Sequence, residues 1–315
     1  MEKAVIAIHG GAGTLSRSNT SPETAREYTE ALHQTLLAGQ AILAAGGSAL
    51  DAVTEAVRLL EEIPLFNAGT GSVFTHAATH EMDACIMDGR LLDAGAVAGV
   101  RCVRNPILAA RAVLDNSPHV LLISDGAEQF AREQGLEIVA PDFFSTAERA
   151  AQLRQARGQE QIVLDHDVPV PPIAPDTKFG TVGAVALDAH GNLAAATSTG
   201  GMTNKRPGRV GDSPLPGAGC YANNANVAVS CTGTGEVFMR MLAAYDVAAL
   251  MEYSGVSLPE AADRVIKEKL AALNGEGGLI AIDREGHVVM PFNTEGMYRG
   301  VAWVGDMPSV GIWQE

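Results

Sequence analysis

The spacing of apolar residues at the start of the chain predicts one strand followed by two helices. Residues 5–8 are an apolar run that ends in the turn-like segment His9-Gly10-Gly11-Ala12-Gly13-Thr14. Ser21-Pro22 is typical of a helix start, with serine as the N-cap and proline at the first helical position. We expect that helix to reach Ala45 and a second helix to begin after Ser48, which can cap it.

Residues 82–134 carry shorter apolar runs, which predict three strands and two helices. Asn105-Pro106 starts the longer helix, since proline is well tolerated at the first helical position. The predicted strands are residues 82–87, 94–103 and 119–124, and the predicted helices are residues 105–115 and 127–134.

Two segments of the second half share one pattern, in which an Asp-x-x-Gly turn joins two apolar runs. Residues 184–193 contain the first turn, at Asp188, and residues 279–288 contain the second, at Asp283. Apolar runs joined by such a turn are typical of β-hairpins. Two helices, at about residues 235–251 and 257–273, are predicted between them. Because strands and helices come in blocks, we predict the α+β class, with antiparallel sheets covered by helices.

Residues 151–180 predict a linker or mobile loop. Gln and Arg dominate its first part, and four prolines follow within residues 169–175. Proline lacks the backbone donor that helices and central strands need. An ordinary boundary between domains is an equally plain interpretation of this stretch.

Thr181 follows Gly180 and opens the apolar strand of the first hairpin. A turn centred on His190 places Thr181 opposite Thr199, with their Cβ atoms ~5 Å apart on one face. We therefore expect the two hydroxyls to form a hydrogen bond. A register slip of one residue would separate them, and Thr–Thr pairs across strands are also common without any chemical role.

A cut between Gly180 and Thr181 would leave Thr181 with a free α-amine beside its own hydroxyl. The α-amine titrates near pH ~8 and can accept the hydroxyl proton, so one residue would supply both nucleophile and base. Glycine before the bond permits conformations closed to other residues, and strain there would favour attack on its carbonyl. The simpler alternative is an ordinary threonine at a strand start, since β-branched residues favour strands.

Composition excludes several classes of partner. The chain has 315 residues, 47% of them hydrophobic, and a formal net charge of −15. Nucleic acids and anionic membranes need a basic surface, so we expect neither as a partner. No apolar run approaches the ~18 residues of a membrane span, and the first residues do not read as a secretory signal. The four cysteines show no metal-ligand spacing, so we expect reduced thiols in a cytoplasmic protein.

Residues 201–214 form a predicted loop that is rich in opposite charges. Arg209 and Asp212 could clamp a zwitterion, because a guanidinium binds a carboxylate bidentately and a carboxylate accepts from an ammonium. A solvated loop with an incidental ion pair is the alternative. We prefer that alternative for Lys205 and Arg206.

Residues 231–236, Cys-Thr-Gly-Thr-Gly-Glu, predict a glycine-rich turn from a strand into a helix. Such a turn presents backbone N–H groups and the positive end of a helix dipole to a phosphate or a developing oxyanion. It lacks the Gly-Lys-Ser/Thr ending of a nucleotide-binding loop. Many turns of this kind only begin a helix.

Taken together, six motifs resemble the plant-type L-asparaginase/isoaspartyl aminopeptidase family of N-terminal nucleophile hydrolases. Several long motifs in the right order are far more specific than one glycine-rich loop, and the resemblance covers nearly the whole chain. The motifs occupy residues 8–13 (IHGGAG), 64–71 (PLFNAGTG), 180–186 (GTVGAVA), 196–201 (ATSTGG), 208–214 (GRVGDSP) and 232–236 (TGTGE).

The resemblance implies an αββα sandwich made as a precursor. The precursor would be cleaved into an α chain, residues 1–180, and a β chain, residues 181–315, of one domain, which pair as an (αβ)₂ homodimer. Motif by motif, it implies Thr181 as the nucleophile and Thr199 as its hydroxyl partner. It also implies that Arg209 anchors the substrate's α-carboxylate and Asp212 its α-amine.

The resemblance assigns supporting roles as well. Thr232 and Gly233 would form the oxyanion hole, and Asn67 would help to hold the N-terminal threonine. Residues 60–70 resemble the family's loop for a structural sodium ion, and no cofactor is expected for catalysis. The sodium ligands, mostly backbone carbonyls, would come from Leu60, Glu61, Ile63, Phe66, Ala68 and Thr70.

The implied activity is hydrolysis of β-aspartyl dipeptides and L-asparagine through a β-aspartyl ester on Thr181. The sequence does not rank these substrates, because Arg209 and Asp212 read only the part that they share. A glycosylasparaginase-like amidase is an alternative within the fold, although that class is typically secretory and disulfide-bearing. A non-enzymatic phosphate-binding protein that uses the turn at residues 232–235 is an alternative of another class. We interpret His9 as structural.

Overall fold

An eight-stranded sheet forms the centre of the molecule. The structure, a computed structural model, describes residues 3–13, 17, 20–165 and 180–314, with the backbone alone described for residues 159–165. The strand order is β12-β11-β1-β5-β6-β2-β3-β4. The strands are β1 (Val5–Gly13), β2 (Met82–Asp88), β3 (Asp93–Val100), β4 (Leu121–Ile123), β5 (Val182–Leu187), β6 (Leu193–Thr199), β11 (Gly296–Trp303) and β12 (Ser309–Trp313).

A second sheet of four strands packs against the first. Its order is β10-β9-β8-β7, and all of its pairs are antiparallel. The strands are β7 (Cys220–Asn223), β8 (Val227–Gly233), β9 (Gly277–Asp283) and β10 (Val288–Val289).

Helices cover the outer faces of both sheets and begin where the caps predict. The Ser21 hydroxyl accepts from the backbone N–H of Thr24, and the Ser48 hydroxyl accepts from that of Asp51. The helices are α1 (Pro22–Ala44), α2 (Ala49–Glu62), α3 (Pro106–Asn116), α4 (Ser124–Glu133), α5 (Ala147–Asp165), α6 (Gly235–Met241), α7 (Ala243–Ser254) and α8 (Leu258–Asp263), which continues as a π-helical stretch over Arg264–Leu270.

Three apolar cores separate four layers. Alternation along β1 sends Ile6 and Ile8 into the core beneath α1, α2 and α3, and Val5 and Ala7 into the core between the sheets. A third core lies between the four-stranded sheet and the helices that include α7 and α8. The predicted αββα sandwich is therefore confirmed.

Three expectations are wrong in part. The large sheet is not wholly antiparallel, because β3 and β4 pair in parallel across the helix α3. The helix predicted at residues 235–251 is broken at Leu242, whose φ of 51° is left-handed. Residues 151–165, expected to belong to a linker, continue helix α5, since the Gln- and Arg-rich composition suits a helix and the prolines come later. The remaining linker residues before Gly180 lie outside the described residues.

No helix in the described ranges has both the length and the apolar character that a membrane span requires. Cys85, Cys102, Cys220 and Cys231 are all buried free thiols, as expected.

Candidate active site

The β5–β6 hairpin places Thr181 opposite Thr199. One oxygen of Asp188 accepts from the backbone N–H groups of His190 and Asn192, which closes the turn. The resulting register pairs Val182 with Ser198, so Thr181 and Thr199 are the next pair outward. Their hydroxyls lie 3.2 Å apart, and Thr181 is buried. The register predicted from the turn is thus confirmed.

The carbonyl of Gly180, which precedes Thr181, accepts two hydrogen bonds. Nδ2 of Asn67 lies 2.7 Å from the oxygen, and the Thr199 hydroxyl lies 3.0 Å from it. Asn67 is itself fixed, because its Nδ2 also donates to the Gly201 carbonyl. Since both donors polarise the carbonyl, it is prepared for attack by a nearby nucleophile.

His9 supports the backbone of Thr181. Its Nδ1 lies 2.9 Å from the Thr181 carbonyl oxygen, so Nδ1 carries the proton and donates. Its Nε2 lies 2.8 Å from the Ser230 hydroxyl, which must then donate to it. Burial lowers the pKa of His9 to about 3, so the ring is neutral at physiological pH. The geometry is that of a structural histidine whose contact is with Thr181, the predicted nucleophile.

Arg209 and Asp212 come together around Gly235, the first residue of α6. A Cβ built on Gly235 would lie 2.8 Å from Oδ1 of Asp212 and 2.9 Å from Nη2 of Arg209, so a side chain there would crowd both groups. Thr181, Arg209 and Asp212 line the same cavity, which also includes Gly233. The predicted nucleophile, Thr181, therefore lies in the same cavity as the two residues predicted to bind a zwitterion, Arg209 and Asp212.

Glu236 holds Arg209 in place and was missed as a functional candidate. Nε and Nη2 of Arg209 each lie 2.8 Å from one oxygen of Glu236. This bidentate pair uses one edge of the guanidinium and leaves the N–H groups of the opposite edge for another anion. The available signal was an acidic residue in the first turn of a helix that follows a glycine-rich loop.

The buried carboxylate of Asp212 lacks a full set of hydrogen-bond partners among the described residues. It is buried, and its Oδ2 has no hydrogen-bond partner in the described part of the chain. Burial raises the pKa of Asp212 to about 7, against the opposing effect of the Arg209 charge. A cationic group placed in the cavity would relieve this cost.

The two residues predicted to form the oxyanion hole, Thr232 and Gly233, have different surroundings. Gly233 lines the cavity with a φ of 151°, a conformation that only glycine adopts readily. Thr232 is fully buried, and its hydroxyl accepts from the backbone N–H of Ala12 at 3.3 Å. Its side chain therefore ties β8 to β1.

Residues 60–71 fold back tightly after α2. A side chain at Gly69 would overlap the carbonyl oxygen of Glu61, and one at Gly71 would overlap that of Phe66. The carbonyl oxygens of Glu61 and Phe66 therefore lie in close contact with the backbone of the turn at Gly69 and Gly71. No group of three or more His, Cys, Asp or Glu residues that could hold a metal ion is found within the described residues.

The burial of two titratable groups beside the site was not predicted. Lys205, expected to be solvated, is buried and donates from Nζ to the Glu81 carbonyl at 2.7 Å, whereas Arg206 is exposed as expected. The Glu61 side chain accepts from the hydroxyl of Ser198, the neighbour of Thr199, and burial raises its pKa to about 8. Nothing in the local sequence pattern indicates that the side chain of Lys205 or of Glu61 is buried.

Two stacked sheets between two layers of helices form the αββα sandwich, which is the fold of the N-terminal nucleophile hydrolases. The sequence profile of the family described as Asparaginase matches residues 2–312, and the chain belongs to this family. The chain is 65% identical to an isoaspartyl peptidase of Escherichia coli K12, over 100% of this chain and 98% of that protein. It is 44% identical to a probable isoaspartyl peptidase/L-asparaginase 2 of Arabidopsis thaliana, over 98% of each chain. It is 42% identical to an isoaspartyl peptidase/L-asparaginase of Xenopus laevis, over 99% of this chain and 96% of that protein.

Proposed function

We propose that the chain cleaves itself between Gly180 and Thr181 and then hydrolyses β-aspartyl dipeptides and L-asparagine. The observation that carries the proposal is the hydrogen-bonded series from the Thr181 hydroxyl to Thr199 and on to the Gly180 carbonyl. The proposed products are an α chain of residues 1–180 and a β chain of residues 181–315.

The hydrogen-bond series supports a balanced first step. Oγ1 of Thr181 attacks the carbonyl carbon of Gly180, and its proton passes to Thr199. Thr199 in turn gives its own proton to the carbonyl oxygen, while Asn67 continues to donate to that oxygen. The proton on the former carbonyl oxygen then passes to the Thr181 nitrogen as the C–N bond breaks, which re-forms the carbonyl as an ester on the Thr181 hydroxyl and leaves a free α-amine. Water hydrolyses the ester, which gives the Gly180 carboxylate and returns the hydroxyl to Thr181.

After cleavage, the α-amine of Thr181 serves as the base for its hydroxyl. The substrate's α-carboxylate binds the edge of Arg209 opposite Glu236, and its α-ammonium binds Asp212, whose Oδ2 has no partner among the described residues. This binding presents the side-chain carbonyl to Oγ1 of Thr181. A β-aspartyl ester forms, ammonia or an amino acid leaves, and water releases aspartate.

Gly233 and Asn67 are the candidates for stabilising the oxyanion during turnover. Gly233 brings backbone without a side chain to the cavity, and Asn67 already donates to the neighbouring carbonyl. We assign Thr232 to the same oxyanion hole, because its hydroxyl accepts from the Ala12 N–H and so keeps its own O–H proton to donate. The carboxylate of Asp212 against the start of α6 disfavours a bound phosphate at this turn.

We propose that the loop of residues 60–71 holds a structural sodium ion; the Glu61 and Phe66 carbonyl oxygens lie close against Gly69 and Gly71 there. Leu60, Glu61, Ile63, Phe66, Ala68 and Thr70 would hold it through main-chain oxygens. The ion would support the loop that carries Asn67 and would take no part in bond making. We also propose a cytoplasmic (αβ)₂ homodimer, which size-exclusion chromatography with light scattering would test.

Intact-mass spectrometry and one substrate comparison test the proposed function. Purified protein should yield a fragment that begins at Thr181, and the cleaved protein should hydrolyse β-Asp-Leu and L-asparagine. It should reject α-Asp-Leu, because the scissile carbonyl there is the α-carboxyl group that Arg209 needs. Equal rates on the two dipeptides, or activity in a chain that stays full length, would contradict the proposal.

A further inference from the structure

Gly180 lies on the wall of two cavities. One is the cavity of Thr181, Arg209 and Asp212 already described. The other cavity shares Gly180 with the first; it is narrow in the uncleaved chain and open to solvent at its mouth. We call it the leaving-residue cavity, lined by Gly10, Gly11, Ala12, Gly13, Tyr28, Leu65, Phe66, Asn67, Glu148, Arg149, Gly180 and Tyr298.

Aromatic side chains form one wall of the leaving-residue cavity. The rings of Tyr28 and Tyr298 stack with centroids 4.1 Å apart, and Phe66 meets Tyr28 edge-on at 5.5 Å. The Tyr28 hydroxyl donates to the Leu65 carbonyl, which fixes the ring. A rigid aromatic wall of this kind favours a large apolar side chain.

Arg149 gives the cavity a buried positive charge. The residue is 6% exposed, and its guanidinium donates to the Gly71 carbonyl, the Gln152 side chain and, at 3.4 Å, the Leu65 carbonyl. None of these partners is an anion, and no ion pair of Arg149 is found in the described part of the chain. Burial lowers the pKa of Arg149, a sign that its charge is poorly compensated. A carboxylate in the cavity would supply the missing charge.

The glycine-rich end of β1 forms another wall. Pairing between β1 and β5 stops at His9 and Gly183, whereas β1 continues to Gly13. Along Gly10–Gly13 the edge that faces β5 is therefore left without a strand partner on that side. The Ala12 N–H on this stretch donates to the Thr232 hydroxyl, and the other backbone groups of the edge face the cavity side where a peptide ligand would lie. Glu148, the acidic member of the lining, is exposed at the rim and accepts from Gln152.

We propose that the leaving-residue cavity binds the amino acid that follows the isoaspartyl residue. Its free α-carboxylate faces Arg149, and its side chain, large and apolar, lies against Tyr28 and Tyr298. The inference rests on the proposed function, and it names the preferred substrates as β-aspartyl dipeptides with a free carboxyl terminus. Cleavage after Gly180 removes the covalent wall between the two cavities, so one substrate can span both.

The first test leaves the protein unaltered. The cleaved enzyme is assayed with β-Asp-Leu, with β-Asp-Leu amide and with β-Asp-Gly. The amide should lower kcat/KM at least tenfold, as expected when a charge-assisted hydrogen bond is lost. Glycine in place of leucine should lower kcat/KM by a further several-fold, because the aromatic wall is then left uncovered. Equal kcat/KM for acid and amide would overturn the proposal.

The second test removes the charge of Arg149. Arg149→Gln retains a donor for the Gly71 carbonyl, and Arg104→Gln, on the α2–α3 surface, is the matched control. In Arg149→Gln the preference for β-Asp-Leu over its amide should fall from tenfold or more to about equal. The control should keep the preference. A preference that survives in folded Arg149→Gln would assign the carboxylate to another group and contradict the proposal.

L-asparagine separates failure of the cavity from failure of the proposed function. Its leaving group is ammonia, which reaches neither Arg149 nor the tyrosines. A protein that hydrolyses L-asparagine but treats acid and amide alike retains the function and loses the cavity assignment. A cleaved protein that hydrolyses none of the substrates refutes the proposed function itself.

Discussion

The two Asp-x-x-Gly hairpins have the same turn but different surroundings. In each, one aspartate oxygen accepts two backbone N–H groups, from His190 and Asn192 in β5–β6 and from Glu285 and His287 in β9–β10. Only the first hairpin carries the candidate nucleophile. The same Asp-x-x-Gly pattern therefore forms both turns, but it does not determine which hairpin carries the candidate catalytic residue.

Strand length and position in the sheet separate the hairpins. β6 runs for seven residues, whereas β10 has two and is soon followed by Pro291, which cannot donate to a ladder. β5 and β6 lie between β1 and β2 at the centre of the large sheet, whereas β10 is an edge strand. Central strands bring His9 and Thr199 beside Thr181, and an edge strand has no such neighbours on its open side.

The largest effect is expected from removing the Thr181 hydroxyl. Thr181→Ala should abolish both chain cleavage and hydrolysis of β-Asp-Leu, because no nucleophile remains, whereas Thr181→Ser should retain part of both. Glu276→Ala changes the corresponding position before β9 and should leave cleavage intact. Gels and intact masses report cleavage. Cleavage and full activity in Thr181→Ala would move the nucleophile elsewhere, with Thr199 and Thr232 next in line.

The second prediction compares two arginine–glutamate pairs. Arg209→Ala should lower kcat/KM for β-Asp-Leu at least tenfold, since losing a charge-assisted bidentate contact costs about 2–5 kcal/mol. Arg284 pairs with Glu285 in the second hairpin, and both side chains are about half exposed. Arg284→Ala should change neither kinetics nor stability measurably, because exposed ion pairs contribute little. Equal kinetic losses in the two variants would show that Arg209 does not bind substrate.

The third prediction concerns stability and pH. The pKa of Asp212 is about 7 in the folded chain against an ordinary 3.8, so folding binds a proton between these values. The contribution of Asp212 to the free energy of unfolding should therefore fall as pH rises from about 4 to 7, by an amount on the order of 2–4 kcal/mol. Asp212→Asn should remove this loss and be more stable than the unaltered protein at pH 8.

Asp283→Asn is the matched change in the second hairpin. There the carboxylate accepts from Glu285 and His287, so the substitution should lower stability at pH 8. Denaturant unfolding at pH 5 and pH 8 measures both variants. Stabilisation by Asp283→Asn, or destabilisation by Asp212→Asn at pH 8, would reverse the contrast between a functional and a structural aspartate.

The smallest effect is expected at the turns themselves. Asp188 also accepts from the backbone N–H of Ala49 at the start of α2, whereas in the described part of the chain Asp283 accepts from Glu285 and His287 of its own turn. Asp188→Ala should therefore cost about 2–3 kcal/mol and Asp283→Ala about 1–2 kcal/mol, as buried donors lose their acceptors. Chemical denaturation of both variants checks the order, and a larger loss at Asp283 would contradict it.

Local pattern was sufficient for the elements, the hairpin register and the pairing of Thr181 with Thr199. Caps, turn residues and strand alternation act over a few residues, so they can be seen in the sequence. The motifs also indicated the family and the residues that line the cavity. The break at Leu242 and the helical start of the supposed linker escaped prediction, because packing overrides weak local preferences.

Tertiary structure decided what surrounds the chemistry. The Gly180 carbonyl meets Asn67 from 113 residues away, and the Thr181 carbonyl meets His9 from 172 residues away. Three further features also depend on elements that are remote in sequence. They are the burial of Lys205, the pairing of Arg209 with Glu236 and the position of Arg149 beside Tyr28 and Tyr298. Such contacts, and the pKa shifts that burial causes, arise only when the layers close, since desolvation depends on everything packed around a group.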